Sequence, residues 1–154
     1  MQLTPSFAQA EFELDGPMPD ACVDTYRQLC EKLLEPLRMH YGEMVVITSG
    51  YRPPEANDDA HGVKHSQHIA TATYCAADFY LPSYHGNMRP VFDLVRSSSG
   101  LEFDQLILEH GGIGDIIHVS WSRAYNRREA LEGATANQSA YQTWPSSPSS
   151  PVDT

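Results

Sequence analysis

Phe103-Asp-Gln-Leu-Ile-Leu-Glu109, then His110-Gly-Gly-Ile-Gly114, then Asp115-Ile-Ile-His-Val-Ser-Trp121 is the stretch that sets the fold class. Two short apolar runs, rich in isoleucine, leucine and aromatic residues, flank a glycine turn, and that pattern predicts two neighbouring antiparallel strands. Working outward, similar runs recur at Met44-Val-Val-Ile-Thr-Ser49, ended by Gly50, and at Cys75-Ala-Ala-Asp-Phe-Tyr-Leu81. Between Pro19 and Gly42 the spacing changes. Val23, Tyr26, Cys30, Leu33 and Leu37 recur at helical intervals after Asp20 as a candidate cap and before Gly42 as a stop. This predicts one amphipathic helix, kinked or restarted at Pro36, which has no N–H to donate. Met88–Ser98 predicts a second helix with Pro90 in its first turn. Long helix, strand, loop, strand, helix and a closing strand pair give an α+β fold, a mainly antiparallel sheet packed with helices.

The 154 residues suffice for one domain and a tail. We place the domain at residues 1–142. The stretch 143–154, TWPSSPSSPVDT, is rich in Pro and Ser and nearly devoid of apolar residues, so it is expected to be a flexible tail. A formal charge of -10 lacks the basic footprint of a general nucleic-acid or anionic-membrane binder, so no nucleic-acid partner is expected. No apolar run reaches the roughly 18 residues of a membrane span, and the start MQLTPSFAQAEFELDG has neither a basic beginning nor an apolar signal core. The expectation is a chain without membrane insertion or export signal. Nothing in the pattern indicates an oligomeric state. Cys22, Cys30 and Cys75 are too few for a disulfide framework and read as reduced, buried thiols.

Chemistry concentrates between residues 61 and 118, which hold His61, His65, His68, His85, His110 and His118. The polar stretch from Tyr51 to about Thr73 reads as a long loop, and loops of that length inside compact domains are usually functional. His118 alone fits either a satisfied core histidine or a ligand. Ser66-Gln-His68, followed by Ala76-Ala-Asp78 in the next strand, says more, because imidazole and carboxylate on adjacent segments are what an N/O zinc site needs. Asp78 sits among Cys75, Ala76, Ala77, Phe79 and Leu81, where a carboxylate is costly unless paired or metal-bound. His61 and His65 form a rival i,i+4 pair, but His61-Gly-Val-Lys-His65 carries a glycine and lacks the glutamate of the helical zinc-peptidase motif.

Ser49-Gly-Tyr-Arg-Pro-Pro54, Ser66-Gln-His68, Ala76-Ala-Asp78, Phe103-Asp-Gln-Leu-Ile107 and Ile117-His-Val-Ser120 occur in this order from one end of the domain to the other. Together they resemble the hedgehog-like zinc peptidases, the family of D-alanyl-D-alanine carboxypeptidases and phage murein endopeptidases. The resemblance extends from Leu3 and Phe7 to about Ser122. It implies a hedgehog-type fold with one Zn²⁺ per chain at the sheet face, held by His68, Asp78 and His118. One departure from the family pattern is a longer step from His68 to Asp78, a three-residue insertion with no glycine in Ile69-Ala-Thr-Ala-Thr-Tyr74; loops absorb such insertions at little cost.

Roles follow from the resemblance and from what peptide hydrolysis requires. Zinc polarises the scissile carbonyl and lowers the pKa of water toward ~7, and a carboxylate must pass the proton to the leaving amine. Family members carry an acid three positions before the last histidine, which Asp115 matches. Glu109 is the reserve, and either is otherwise a solvated turn residue. Arg52 matches the family arginine, able to bind a substrate carboxylate or the developing oxyanion, the alternative being an ion pair with Glu55 or Asp58. Ser66 would bind substrate backbone or shape the loop. Tyr51, Trp121 and Tyr125 would line a peptide groove or belong to the core. The implied function is hydrolysis of peptidoglycan stem or cross-link peptides, as carboxypeptidase or endopeptidase, by a cytoplasmic or phage-encoded protein that acts on the cell wall after release. The alternative is a catalytically inactive zinc-binding hedgehog-like interaction domain.

Overall fold

A computed structural model of the chain describes residues 1–54, 67–134 and 142–145. The N-terminus forms a small antiparallel pair, β1 (Gln2–Thr4) and β2 (Phe7–Ala8), followed by a 3-10 turn at Gln9–Phe12. The helical segment then runs as α1 (Asp20–Leu29), a π-helical turn (Cys30–Leu34) and α2 (Glu35–Tyr41). The expected break therefore precedes Pro36 rather than falling on it. A proline N has no hydrogen for the carbonyl one turn back. The helix widens in advance, so that the Glu35 N–H reaches the Cys30 carbonyl, and Pro36 lies in the first turn of α2. The apolar stripe survives the change of pitch: Tyr26, Leu29, Cys30, Leu33, Leu34 and Leu37 are all fully buried. Gly42 ends the segment as expected, left-handed at φ +66°, its N–H on the Arg38 carbonyl.

The main sheet has six strands in the order β3-β4-β6-β5-β7-β8, with β3 at Val46–Ser49, β4 at Tyr74–Tyr80, β5 at Gln105–Gly111, β6 at Gly114–Ser122, β7 at Glu129–Ala134 and β8 at Gln142–Trp144. All pairs are antiparallel except β5 with β7. The hairpin expected from the glycine turn is longer than the apolar pattern indicates, because pairing continues through His110↔Asp115 to Gly111↔Gly114. Gly114 is required there. Its φ is +147°, and a Cβ would come within 2.6 Å of the His85 carbonyl oxygen, which accepts the Asp115 N–H at 2.7 Å.

Strand alternation divides the sheet into two faces. Cys75, Ala77 and Phe79 of β4, Ile117 and Val119 of β6 and Leu106 and Leu108 of β5 are fully buried on one. There they join the helical stripe and Val91, Phe92 and Val95 of α3 (Arg89–Ser97) in a single apolar core. A Tyr26 hydroxyl donating to the Ala76 carbonyl at 2.8 Å ties α1 to β4. The other face carries Asp78, His118, Ile107 and Glu109. Cys22, Cys30 and Cys75 are free and buried, and burial pushes their thiols up. Tyr51 and Trp121 belong to the core, whereas Tyr125 is exposed.

The sheet extends into the stretch 143–154. Thr143 and Trp144 pair with Leu131 and Ala130, and the Trp144 ring meets Phe92 edge-on at 6.4 Å. Residues 146–154 lie outside the described residues. Among the described residues no helix is long and apolar enough to cross a membrane.

Candidate metal centre

Asp78 and His118 stand directly opposite each other in the β4–β6 register, so their side chains leave the same face side by side. Ser49 is opposite Asp78 on the other flank, in β3. His68 reaches this face from a turn, and two hydrogen bonds to the segment after β3 fix it. The Arg52 N–H donates to the His68 carbonyl at 2.8 Å, and His68 Nδ1 lies 2.7 Å from the Gly50 carbonyl oxygen. A carbonyl only accepts, so Nδ1 donates, and in the neutral tautomer that this bond selects the lone pair is on Nε2, towards Asp78 and His118. Gly50 is itself pinned, since a Cβ there would lie 2.5 Å from the Phe12 carbonyl oxygen. Farther along, Thr25 Oγ1 of α1 donates to the Thr71 and Ala72 carbonyls, anchoring the chain between His68 and β4.

Three donor atoms converge. His68 Nε2 is 3.1 Å from Asp78 Oδ1 and 3.2 Å from His118 Nδ1, and the third side of the triangle is 3.0 Å. Each of the three atoms can offer a lone pair once deprotonated. A single shared proton satisfies one edge of such a triangle, whereas a cation at its centre satisfies all three. The edge of a tetrahedron with metal–ligand bonds of about 2.0–2.1 Å is about 3.3 Å, close to these separations. Two imidazoles and a carboxylate are the N/O donor set of zinc sites that keep a fourth position open. The residues therefore fit a zinc ion. When the imidazoles rather than a metal carry the positive charge, burial works against the charged form of Asp78, but the charge at His68 and the hydrogen bonds from His118 and His68 outweigh it and hold the carboxyl below its usual range.

Arg52 joins the group. Its Nη2 is 3.7 Å from Asp78 Oδ2, and its Nε donates to Ser49 Oγ at 3.3 Å and faces Asp15 at 3.9 Å. Its acidic neighbours among the described residues include Asp15 and Asp78; Glu55, Asp58, Ser66, His61 and His65 lie outside the described residues. The two acids considered for proton transfer part company. Glu109 pairs with Ile116 while Ile107 pairs with His118, so Glu109 is buried on the face of the triad. Asp115 points to the opposite face. Its Oδ2 accepts the Met88 N–H at 2.9 Å at the start of α3, and its Oδ1 is 2.8 Å from His110 Nδ1.

Residues 5–120 match the sequence model of the peptidase M15 family. The chain belongs to the peptidase M15 family. The match contains Arg52, His68, Asp78, Glu109, Asp115 and His118 and stops before β7 and β8. M15 peptidases are zinc-dependent, and this M15 chain has one cluster among its described residues able to hold a metal ion, His68 with Asp78 and His118. Comparison with curated proteins finds no match.

One supporting group escaped the sequence reading. Asp104, just before β5, is buried and accepts Gln67 Nε2 at 2.7 Å and three hydrogen bonds from Arg127 at 3.0 Å each. Burial opposes its charge, but the Arg127 guanidinium and N–H prevail and lower its carboxyl below the ordinary value. The signal was present: a carboxylate between Phe103 and Leu106 demands a partner as Asp78 does.

Proposed function

We propose that this M15 protein is a zinc-dependent peptidase of hedgehog-type fold that hydrolyses peptidoglycan stem or cross-link peptides, with His68, Asp78 and His118 as the ligands of one Zn²⁺. The observation that carries the reading is the triangle of donor atoms with edges of 3.0–3.2 Å. Bound there, zinc would supply Lewis-acid activation of a water molecule and of the scissile carbonyl. The chain supplies the rest. Glu109, on the same face as the ligands, accepts the proton of the attacking water and returns it to the leaving amine. Asp115 serves instead as a structural acceptor for α3 and His110. The Arg52 fork, beside Asp78, orients a substrate carboxylate or stabilises the oxyanion.

Incubating the zinc-loaded protein with purified murein and separating the products tests this. Release of D-alanine identifies a carboxypeptidase, and new amino termini within the stem or bridge identify an endopeptidase. Stoichiometric zinc without any new terminus would leave the inactive interaction domain as the function.

A further inference from the structure

We propose that Asp104, which touches none of the three ligand side chains, is a positioning residue of the metal centre: through Gln67 it sets where His68 stands. The inference rests on the zinc reading above. His68 is the one donor of the three that comes from a turn rather than from a strand, so its place depends on side-chain and backbone tethers. Asp104 provides one of them directly beside it, the 2.7 Å bond from Gln67 Nε2. Asp104 is fixed in turn. Its N–H donates to the Ser120 carbonyl at 2.9 Å, its carbonyl accepts the Glu129 N–H at 3.0 Å, and Arg127 grips its carboxylate. Ser120 follows His118 closely in β6, and its hydroxyl accepts the Gln105 N–H at 3.0 Å. The clamp therefore joins the turn that bears His68 to the strand that bears His118. An ionised carboxylate buried with four donors is a rigid anchor, because moving it would leave a charge unpaired.

Partners that orient a metal ligand typically contribute 10–100-fold to metal affinity without contacting the metal. Zinc affinity, measured by chelator competition, and melting of the zinc-free protein separate positioning from stability. Gln67→Ala is the decisive variant, because Gln67 is half-buried and its loss leaves the Asp104–Arg127 pair intact. We expect Gln67→Ala to weaken zinc binding roughly 10–100-fold with little change in apo melting. Asp104→Asn should weaken zinc binding as much or more, with lower apo melting as well because Arg127 loses its charged partner, and the double variant should bind zinc no more weakly than Asp104→Asn alone. Wild-type affinity in Gln67→Ala overturns the inference, as does a lowered apo melting temperature with affinity unchanged in Asp104→Asn. His68→Ala in parallel keeps the two claims apart. If it binds zinc like the wild type, the metal assignment fails; if it does not while Gln67→Ala does, only the positioning role fails.

Discussion

Residues an odd number of positions apart in a strand point to opposite faces, so Asp115 shares a face with His118 only if β6 bulges between them. It does not bulge. Pairing with β5 runs in unbroken register from Leu106↔Val119 to Gly111↔Gly114. The same register carries Glu109 to the face of the triad, beside Ile116. Family spacing pointed to Asp115, whereas the period of two in Asp115–Trp121 already placed it across the sheet; the parity of Glu109 waited on the turn length, which apolar patterning does not reveal. The cluster of His68, Asp78 and His118 was easier to suspect, because an acid embedded in an apolar strand has to be paired or metal-bound to be stable there. Two substitutions separate the acids. Glu109→Gln should retain one zinc per chain yet lose on the order of 10²–10⁴ in turnover. Asp115→Asn should retain both zinc and most of its turnover while melting at lower temperature. Turnover on murein peptides, with metal content measured on the same samples, decides the assignment, and a collapse in Asp115→Asn with full activity in Glu109→Gln reverses it.

The elements around Asp115 show what that carboxylate does. His110 Nδ1 is 2.8 Å from Asp115 and its Nε2 is 2.6 Å from Glu132 of β7, so the ring is a donor on both sides and is best satisfied as imidazolium. Glu132 also binds Arg89 of α3 and accepts the Trp144 indole N–H at 2.9 Å, which joins β5, β6, β7, β8 and α3 in one network. Hydrogen bonds to Glu132 and then Asp115 raise His110 above its ordinary 6.5. Burial opposes ionisation of Glu132, but His110 and Arg89 outweigh it and lower its carboxyl below 4.5. A raised folded-state value means that the His110 contribution is complete below pH 6.5 and fades as pH rises through the folded value. A lowered one means that the Glu132 contribution is complete above pH 4.5 and fades on acidification. The network is thus strongest between these limits. The His110 side chain is 44% exposed, so solvent screening keeps the effect to about 1 kcal/mol or less. Urea unfolding of the zinc-free protein should show His110→Gln less stable than wild type by up to that amount near pH 6, with the gap closed near pH 9. A gap of the same size at both values would assign the loss to packing instead of charge.

Across the whole molecule, the parts legible in sequence are those whose contacts are close along the chain or strongly patterned: the β5–β6 hairpin, β4, the helical stripe and its glycine stop. The far edge of the sheet was not. Glu129–Ala134 has no clean alternation, and it joins the sheet parallel to β5, a pairing that no adjacent turn announces. Thr143 and Trp144 open a stretch rich in Pro and Ser, so composition alone assigns them to a tail. Trp144 holds that edge through long-range contacts: it meets Phe92, lies under the Arg89 and Arg96 guanidiniums at 5.3 and 5.1 Å, and donates to Glu132. These contacts all lie on the face away from Asp78 and His118. Trp144→Ala should therefore cost stability without touching the site. A half-buried indole with two cation–π neighbours contributes about 1–3 kcal/mol, equivalent to a fall in melting temperature of roughly 2–10 °C for a chain of this size, with zinc affinity within about twofold of wild type. Unchanged melting would put the end of the folded domain at residue 142, because a strand that contributes nothing when its anchor is removed is no part of the cooperative unit.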